Sequence, residues 1–245
     1  MNLGIEGRKA AVAAASAGLG HATARALREA GCEVAICARD RDRLERAAAE
    51  IGATPILADV SQPEGAAGFV RQATAALGGV DILVTNAGGP PRGSFATTPF
   101  DEYQRALELN LLSVIAMCTE AVPSMRAKGW GRIVGITSVT VRQPSTMLIL
   151  SNTARAGATA FLKTLALEVA ADGVTVNTVQ PGFHATERMR ELGVDRDELA
   201  KTVPVRAVGD PRDFGQVVAF LCSQHARYIT GAAIPVDGGQ FAGLQ

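Results

Sequence analysis

The feature that most constrains the fold is a regular alternation of short apolar runs with longer amphipathic stretches along the whole chain. Seven runs have the length and composition of buried strands, at residues 9–14, 33–38, 55–58, 81–85, 132–137, 174–179 and 233–236. Helical patterns lie between them at residues 21–31, 41–52, 64–79, 100–129 and 154–173. Strand and helix therefore alternate from one end of the chain to the other.

Such alternation predicts an α/β fold with a single doubly wound parallel sheet of about seven strands and helices on both faces. Each helix must bury its apolar stripe, and parallel strands need right-handed crossovers. The chain has 245 residues and shows no internal repeat or linker, so we expect one domain over residues 1–245. One polar, irregular stretch at residues 183–203 is typical of a lid or substrate loop.

Composition and charge exclude several functional classes. Hydrophobic residues make up 47% of the chain, and 24 basic residues balance 24 acidic ones, which disfavours binding to nucleic acid or to an anionic membrane. No apolar run has the length of a signal peptide or membrane span, so we expect a cytoplasmic protein without membrane partners. Cys32, Cys37, Cys118 and Cys222 lack metal-ligand spacing and are expected to be reduced, mostly buried thiols, with no metal site.

The end of the first predicted strand carries a phosphate-binding pattern. The strand KAAVAA leads into a small-residue turn and then a helix, where backbone amides and the helix dipole favour a diphosphate. The residues of this turn predicted to contact a nucleotide are Ala14, Ser16, Gly18, Leu19 and Gly20. An ordinary turn between a strand and a helix is the alternative, because a Gly-x-Gly pattern alone is weak evidence.

The end of the second strand bears on which nucleotide is bound. A dinucleotide fold reads the adenosine ribose at this point, with an acidic side chain for NAD or a basic one for a 2′-phosphate. Arg39 stands here and no carboxylate precedes it, so NADP(H) is favoured over NAD(H). Alternatively, Arg39 begins the charged face of the following helix.

Further motifs follow in the order and spacing of the short-chain dehydrogenases/reductases, and the chain resembles this family over nearly its full length. Its overall look and the tail ITGAAIPVDGG are most similar to 3-oxoacyl-(acyl carrier protein) reductases. The resemblance implies a Rossmann fold and assigns further cofactor contacts to Asp59, Val60, Asn86, Ala87, Gly88, Pro181, Gly182 and Thr186. It assigns catalytic roles to Asn110 and Ser138.

The sequence departs from this family where proton transfer occurs. The family has a catalytic Tyr and, four residues later, a Lys that holds the nicotinamide ribose; Ser151 and Arg155 occupy these positions. Ala14 also replaces the first Gly of the family's turn. Arg155 is permanently charged and is expected to keep a ribose-binding role, whereas Ser151 is a far poorer acid than a phenol.

The missing phenol leaves the proton donor and the function open. Water held by Ser138 and Asn110 is one donor, and His184 another unless it faces solvent. The first hypothesis is an NADP(H)-dependent oxidoreductase acting on a small-molecule carbonyl or secondary alcohol. The alternatives are a non-redox enzyme of the lyase or dehalogenase type, and a silent NADP(H)-binding sensor.

Two helical segments are unusually apolar for packing on one face. They are residues 99–128 and 153–171, which contain NLLSVIAMC and AGATAFLKTLAL. Either they are covered within the fold, or each buries a second face against an identical subunit. We expect a homo-oligomer, a dimer or a tetramer, and the family resemblance points to the tetramer.

Overall fold

Seven parallel strands form one sheet in the order β3-β2-β1-β4-β5-β6-β7. The computed structural model describes residues 2–187, 189 and 195–244. The strands are β1 (Lys9–Val12), β2 (Glu33–Ala38), β3 (Thr54–Leu57), β4 (Ile82–Thr85), β5 (Gly131–Ile136), β6 (Val174–Pro181) and β7 (Ala233–Val236). The doubly wound α/β sheet expected from the alternation is thus confirmed.

Helices cover both faces of the sheet. They are α1 (Gly18–Glu29), α2 (Arg41–Ile51), α3 (Pro63–Leu77), α4 (Phe100–Leu107), α5 (Ser113–Lys128), α6 (Ile149–Val169), α7 (Arg196–Lys201) and α8 (Pro211–Cys222). Leu27 of α1, Leu44 of α2 and Phe214 of α8 belong to one core cluster. Phe69 of α3, Met117 of α5 and Leu162 of α6 belong to the other cluster, on the opposite face.

Element boundaries differ from the predictions where side-chain signals are missing. Strand β1 ends at Val12 rather than at residue 14, and β6 continues to Pro181. Helix α6 begins at Ile149, five residues before the predicted start, because Leu148 at its N-cap has no side-chain acceptor to mark the helix end. Ser151 therefore lies in the first turn of a helix.

The predicted substrate loop at residues 183–203 is only partly described. Residues 188 and 190–194 lie outside the described residues. Within the rest of this segment, α7 forms a short helix whose N-cap, Asp195, accepts hydrogen bonds from the backbone amides of Asp197 and Glu198. The segment is therefore not entirely loop, and its role at the substrate stays a prediction.

The helix from Phe100 to Lys128 is continuous through α4, a π-helical turn (Glu108–Leu112) and α5. It is long and apolar enough to cross a membrane by length and composition, but the core helices of globular folds pass the same test. Its residues Met117, Cys118 and Met125 are buried in the core cluster that also contains Phe69. The helix thus contributes to the packing of the sheet.

All four cysteines are buried free thiols. Burial raises the pKa of Cys32, Cys37 and Cys118 to about 12. The expectation that most of the thiols are buried is confirmed.

The packing of α8 against α1 depends on Gly215. A Cβ at this position would lie 2.4 Å from the carbonyl oxygen of Ala22. This oxygen belongs to the backbone of α1, so it could move away only if the helix were displaced. We expect Gly215→Ala to lower the free energy of unfolding by about 1–3 kcal/mol through overpacking, measured by urea denaturation. Gly68→Ala in α3 is the matched control. Its Cβ would meet only flexible side chains at 3.7 Å or more, so stability should rise by up to about 1 kcal/mol. Equal effects of the two substitutions would contradict this packing.

Candidate active site

Parallel pairing brings the predicted site residues to one edge of the sheet. The carboxyl ends of the strands lead directly to Ala14, Arg39, Asp59, Asn86, Ser138 and Gly182. The strand order reverses between β1 and β4, which are neighbours in the sheet although β2 and β3 lie between them in the chain. Ligands of open α/β sheets bind in the crevice at such a switch point.

The amino terminus of α1 faces this crevice without a competing cap. The N-cap residue, Ala17, makes no side-chain hydrogen bond to the helix, and the first turn contains no acidic residue. The first amides of the helix therefore keep their donors and their partial positive charge for a bound anion. This is the chemistry that a nucleotide diphosphate requires.

Gly20 allows the turn to approach the end of β4. A Cβ on Gly20 would lie 2.7 Å from the Ala14 oxygen and 2.7 Å from Nδ2 of Asn86. Nδ2 of Asn86 donates to the carbonyl oxygens of Ala13 at 3.2 Å and of Ala14 at 3.1 Å. Asn86 is thus hydrogen-bonded to the turn at Ala14, and Gly20 packs closely against both residues at the switch point.

Ala14 adopts a backbone conformation that favours glycine. Its φ is +47°, in the left-handed region, where its methyl group is strained. The backbone amide of Ala14 also points toward the buried Sγ of Cys37, at 3.4 Å. Cys37 of β2 contacts this turn but was not among the predicted contacts, since a Cys in a buried strand carries no signal of such a contact.

Arg39 is exposed at the end of β2, and the carboxylate next to it is engaged elsewhere. Asp40 is the N-cap of α2 and accepts from the backbone amide of Arg43 at 2.9 Å. Arg39 lies outside α2, which begins at Arg41, so it is not part of that helix's charged face. Within the described chain, Arg39 makes no salt bridge. Its guanidinium is available to an anion.

The segment after β6 approaches the turn from the other side. The Thr186 side chain lies 3.6 Å from the Cβ position of Gly18. Glu187, the next residue, forms an ion pair with Arg43 of α2. Ser16, Asp40, Arg43 and Glu187 line a cavity of about 520 Å³ beside the turn. Thr186 is thus placed with the other predicted cofactor contacts, and its role at the cofactor stays a prediction.

Asn110 and Arg155 converge on one backbone oxygen. Asn110 lies in the π-helical turn, is 3% exposed, and donates through Nδ2 to the Gly88 oxygen at 3.0 Å. Nη2 of Arg155 is 3.4 Å from the same oxygen. Oδ1 of Asn110 is buried with no partner in the described protein, so it remains free to accept from water or a ligand. π-Helical turns are frequent at functional sites.

The Arg155 guanidinium faces the carboxyl ends of β4 and β5. Nη1 donates to the carbonyl oxygens of Ile136 at 2.9 Å and Thr137 at 3.3 Å, and Nη2 lies 3.4 Å from the Ala87 oxygen. Burial lowers the pKa of Arg155 to about 10, which still leaves the group charged at neutral pH. Most of its donors are therefore used by the protein backbone.

Ser138 and Ser151 are the two serines predicted to lie at the catalytic site. Ser138 Oγ accepts from the backbone amide of Thr140 at 3.1 Å and is 2.9 Å from the Thr140 hydroxyl, with either hydroxyl as donor. Ser151 is half-buried and lies one helical turn before Arg155, on the same face of α6. Thr140 was missed in the sequence because its position in the short 3₁₀ turn after β5 (Val139–Val141) gives no indication of this contact.

The structure supplies no phenol on the face of α6 shared by Ser151 and Arg155. Tyr103 packs with Leu150 and Ala154, which lie on the adjacent face, and Tyr228 is fully exposed. The proton donor that the sequence lacks is thus not restored by a tyrosine at this face.

His184 is not the solvent-facing loop residue that one interpretation assumed. It is 6% exposed, packs edge-on against Phe214 at 5.2 Å, and has Nδ1 at 3.2 Å from the Gly182 oxygen. Burial lowers its pKa, so the imidazole is neutral at pH 7. The structure therefore gives His184 a packing role between β6 and α8.

The remaining predicted contacts lie at the same edge. Asp59 is exposed and accepts from the Ser61 amide at 2.9 Å, and Val60 is buried. Gly88 has open space around its Cβ position, with nothing within 4 Å, whereas Gly182 is packed against Asp237. Among the described residues, no group of three His, Cys, Asp or Glu side chains could hold a metal ion.

The fold and this edge define a dinucleotide-binding α/β protein. Residues 13–240 match the family model described as enoyl-(acyl carrier protein) reductase. The chain is 34% identical to the 3-oxoacyl-(acyl-carrier-protein) reductase FabG of Vibrio cholerae serotype O1, over 98% of this chain and 99% of that protein. It is also 34% identical to the acetoacetyl-CoA reductase of Shinella zoogloeoides, over 96% and 98% of the two chains.

Solved structures agree with these sequence relationships. L-sorbose reductase from Gluconobacter frateurii, complexed with NADPH and L-sorbose, superposes with a TM-score of 0.92 at 31% identity, with 100% of both chains covered. The chain belongs to the short-chain dehydrogenase/reductase family, a family of oxidoreductases, and has the fold of that family. The resemblance drawn from the motifs is confirmed.

The backbone strain at Ala14, in the turn between β1 and α1, can be tested by substitution with glycine. We expect Ala14→Gly to raise the free energy of unfolding by about 0.5–1 kcal/mol. The left-handed conformation costs alanine about 1–2 kcal/mol, and the greater freedom of unfolded glycine offsets part of that gain. Ala15→Gly, at a buried neighbour without positive φ, is the control and should lower stability by about 1 kcal/mol. Urea denaturation of both variants measures the difference, and a loss of stability in Ala14→Gly would argue against the strain.

Proposed function

We propose that the protein is an NADP(H)-dependent oxidoreductase that interconverts a small-molecule carbonyl and a secondary alcohol. The observation that carries the proposal is the uncapped amino terminus of α1 at the switch point, with Arg39 exposed nearby at the end of β2. An NADP 2′-phosphate needs a cation here, and Asp40, which would favour NAD, is occupied by the cap of α2. A bidentate guanidinium suits the phosphate.

The residues present fit such a nucleotide. The amides of residues 16–20 would hold the diphosphate, Arg39 the 2′-phosphate, and Asp59 with Val60 the adenine. Open space at Gly88, together with Ala87, Pro181, Gly182 and Thr186, would receive the nicotinamide half. When bound, the nicotinamide supplies a hydride to the carbonyl carbon or accepts one from the alcohol carbon.

The chain's own residues stabilise the reacting oxygen. Ser138 would donate a hydrogen bond to the oxygen on which negative charge develops, and the positive charge of the half-buried Arg155 would stabilise that oxygen. Arg155 would also support the ribose, through the donors that the backbone leaves free. Water held by Ser138 and the unpaired Oδ1 of Asn110 would deliver the proton to this oxygen. Ser151, one helical turn before Arg155, would lie beside this water and is too weak an acid to replace a phenol.

A silent NADP(H)-binding sensor is the second candidate. It is favoured by the Arg155 guanidinium, whose donors point at backbone oxygens, and by the absence of a phenol on this face of α6. Such a protein would bind the nucleotide without turnover. The third candidate is a non-redox enzyme of the lyase or dehalogenase type. It would be favoured if neither NADPH nor NADH bound to the protein.

The proposed assembly is a homo-oligomer, a dimer or a tetramer. Phe100 of α4, Leu112 in the π-helical turn and Leu167 of α6 are exposed at 92%, 41% and 73%, on the helices expected to bury a second face. We propose neither nucleic acid nor membrane as a partner. The cytoplasmic location likewise stays a prediction. Size-exclusion chromatography that returned a monomer would contradict the assembly.

Nucleotide preference tests the role of Arg39. We expect fluorescence titration to give tighter binding of NADPH than of NADH. Arg39→Ala should remove most of that preference, about 1.5–3 kcal/mol, because a charged hydrogen bond to the phosphate is lost. Arg41→Ala, the exposed cation at the start of α2, is the control and should leave both affinities nearly unchanged. A preference that survives Arg39→Ala would assign the phosphate to another residue.

Restoring a phenol tests the catalytic half of the proposal. The double variant Ser151→Tyr with Arg155→Lys should increase reduction of a carbonyl panel by about 10²–10⁴-fold, the usual contribution of a positioned general acid. The control is Ser151→Phe with Arg155→Lys, which has the same bulk but no acidic hydroxyl and should show no gain. Equal rates in the two double variants would mean that the phenol does not reach the reacting oxygen.

A further inference from the structure

A separate cavity of about 250 Å³ lies between α6 and the last two strands. Its lining includes Arg142, Thr159 and Lys163, Thr178 of β6, and the backbone from Gly231 to Ala233. None of these residues belongs to the nucleotide or catalytic positions described above. The cavity is large enough for several water molecules or one small ligand.

The lining carries two cations and no carboxylate. Lys163 Nζ donates to the Gly231 oxygen at 2.9 Å, and Nη2 of Arg142 donates to the Ala233 oxygen at 2.7 Å. Neither side chain forms a salt bridge with another described residue. An ammonium has three donors and a guanidinium five, so most donors at this cavity remain free. Lys163 is exposed and Arg142 half-buried, so two charges of one sign lie at the solvent side of the cavity, where they favour an anion.

A buried hydroxyl in the same lining also lacks a partner. Thr178 is 3% exposed, and its Oγ1 makes no hydrogen bond within the described protein. Its methyl group faces Gly135 of the neighbouring strand β5, at 3.5 Å from the Cβ position there. Thr178 is also one of the residues that line the cavity. Buried hydroxyl groups are seldom left without a partner, which points to a ligand or water at this place.

We propose that this cavity is a binding site for a small oxyanion, a phosphate or a carboxylate group, held by Lys163 and Arg142 with the Thr178 hydroxyl as a further donor. Leu162, Val176 and Ala232 complete the wall with apolar surface, which would accommodate a short aliphatic body behind a carboxylate. The proposal does not depend on the nicotinamide nucleotide.

Calorimetric titration at constant ionic strength, with inorganic phosphate and with butyrate as probes and chloride as the background, tests the site. We expect saturable binding of at least one probe. Tighter binding of butyrate would identify an organic carboxylate as the ligand, and binding of phosphate alone would identify free phosphate. No saturable heat with either probe would overturn the proposal.

Two variants separate this cavity from the anion-binding end of α1. Lys163→Met and Thr178→Val should each weaken binding at least about tenfold, whereas Lys201→Met, an exposed lysine of α7, should have no effect. Thr178→Val should not lower the unfolding temperature in chloride, because it removes a hydroxyl that lacks a partner. Wild-type affinity in both cavity variants would place the anion elsewhere and refute the assignment.

Discussion

Parallel strand pairing is the constraint on which the rest of the molecule depends. Because every strand runs in the same direction, the segments after β1, β2, β4, β5 and β6 meet at one edge, although they are far apart in sequence. The reversal of strand order beside β1 leaves a crevice there, and α1 presents its unpaired amides to it. Even the strained backbone of Ala14 follows from this arrangement, since the chain must turn within a few residues from strand to helix.

Arg155 places a positive charge at the same edge of the sheet. Its guanidinium joins the ends of β4 and β5 through backbone oxygens, and with Asn110 it contacts the Gly88 oxygen. A half-buried cation has lost part of its hydration, and the carbonyl dipoles at the strand ends supply the compensation. The proposed reaction would therefore have a fixed positive charge near the developing oxyanion but no titratable group of comparable position. Charge stabilisation and proton delivery would be carried out by different groups.

The sequence predicted the fold well because hydrophobic periodicity is a local signal. All seven strands were found, and the errors fell at ends such as the start of α6, where Leu148 provides no cap. The order of motifs also brought Asn86, Asn110, Ser138 and Arg155 to one place. What the sequence could not give was the direction of side chains: the burial of His184 against Phe214, the contact of Ser138 with Thr140, and the turn of Arg155 toward carbonyl oxygens. The contacts of His184 and Arg155 depend on residues brought together only by the tertiary fold, whereas the contact of Ser138 depends on the conformation of the short turn after β5.

The central claim, that the end of α1 receives a nucleotide diphosphate, is tested most directly by a crystal structure of the protein soaked with NADPH. The account predicts diphosphate oxygens about 3 Å from the backbone amides of residues 16–20, with the 2′-phosphate on Arg39. A diphosphate bound at any other place, or the α1 terminus occupied only by water at saturating NADPH, would contradict it.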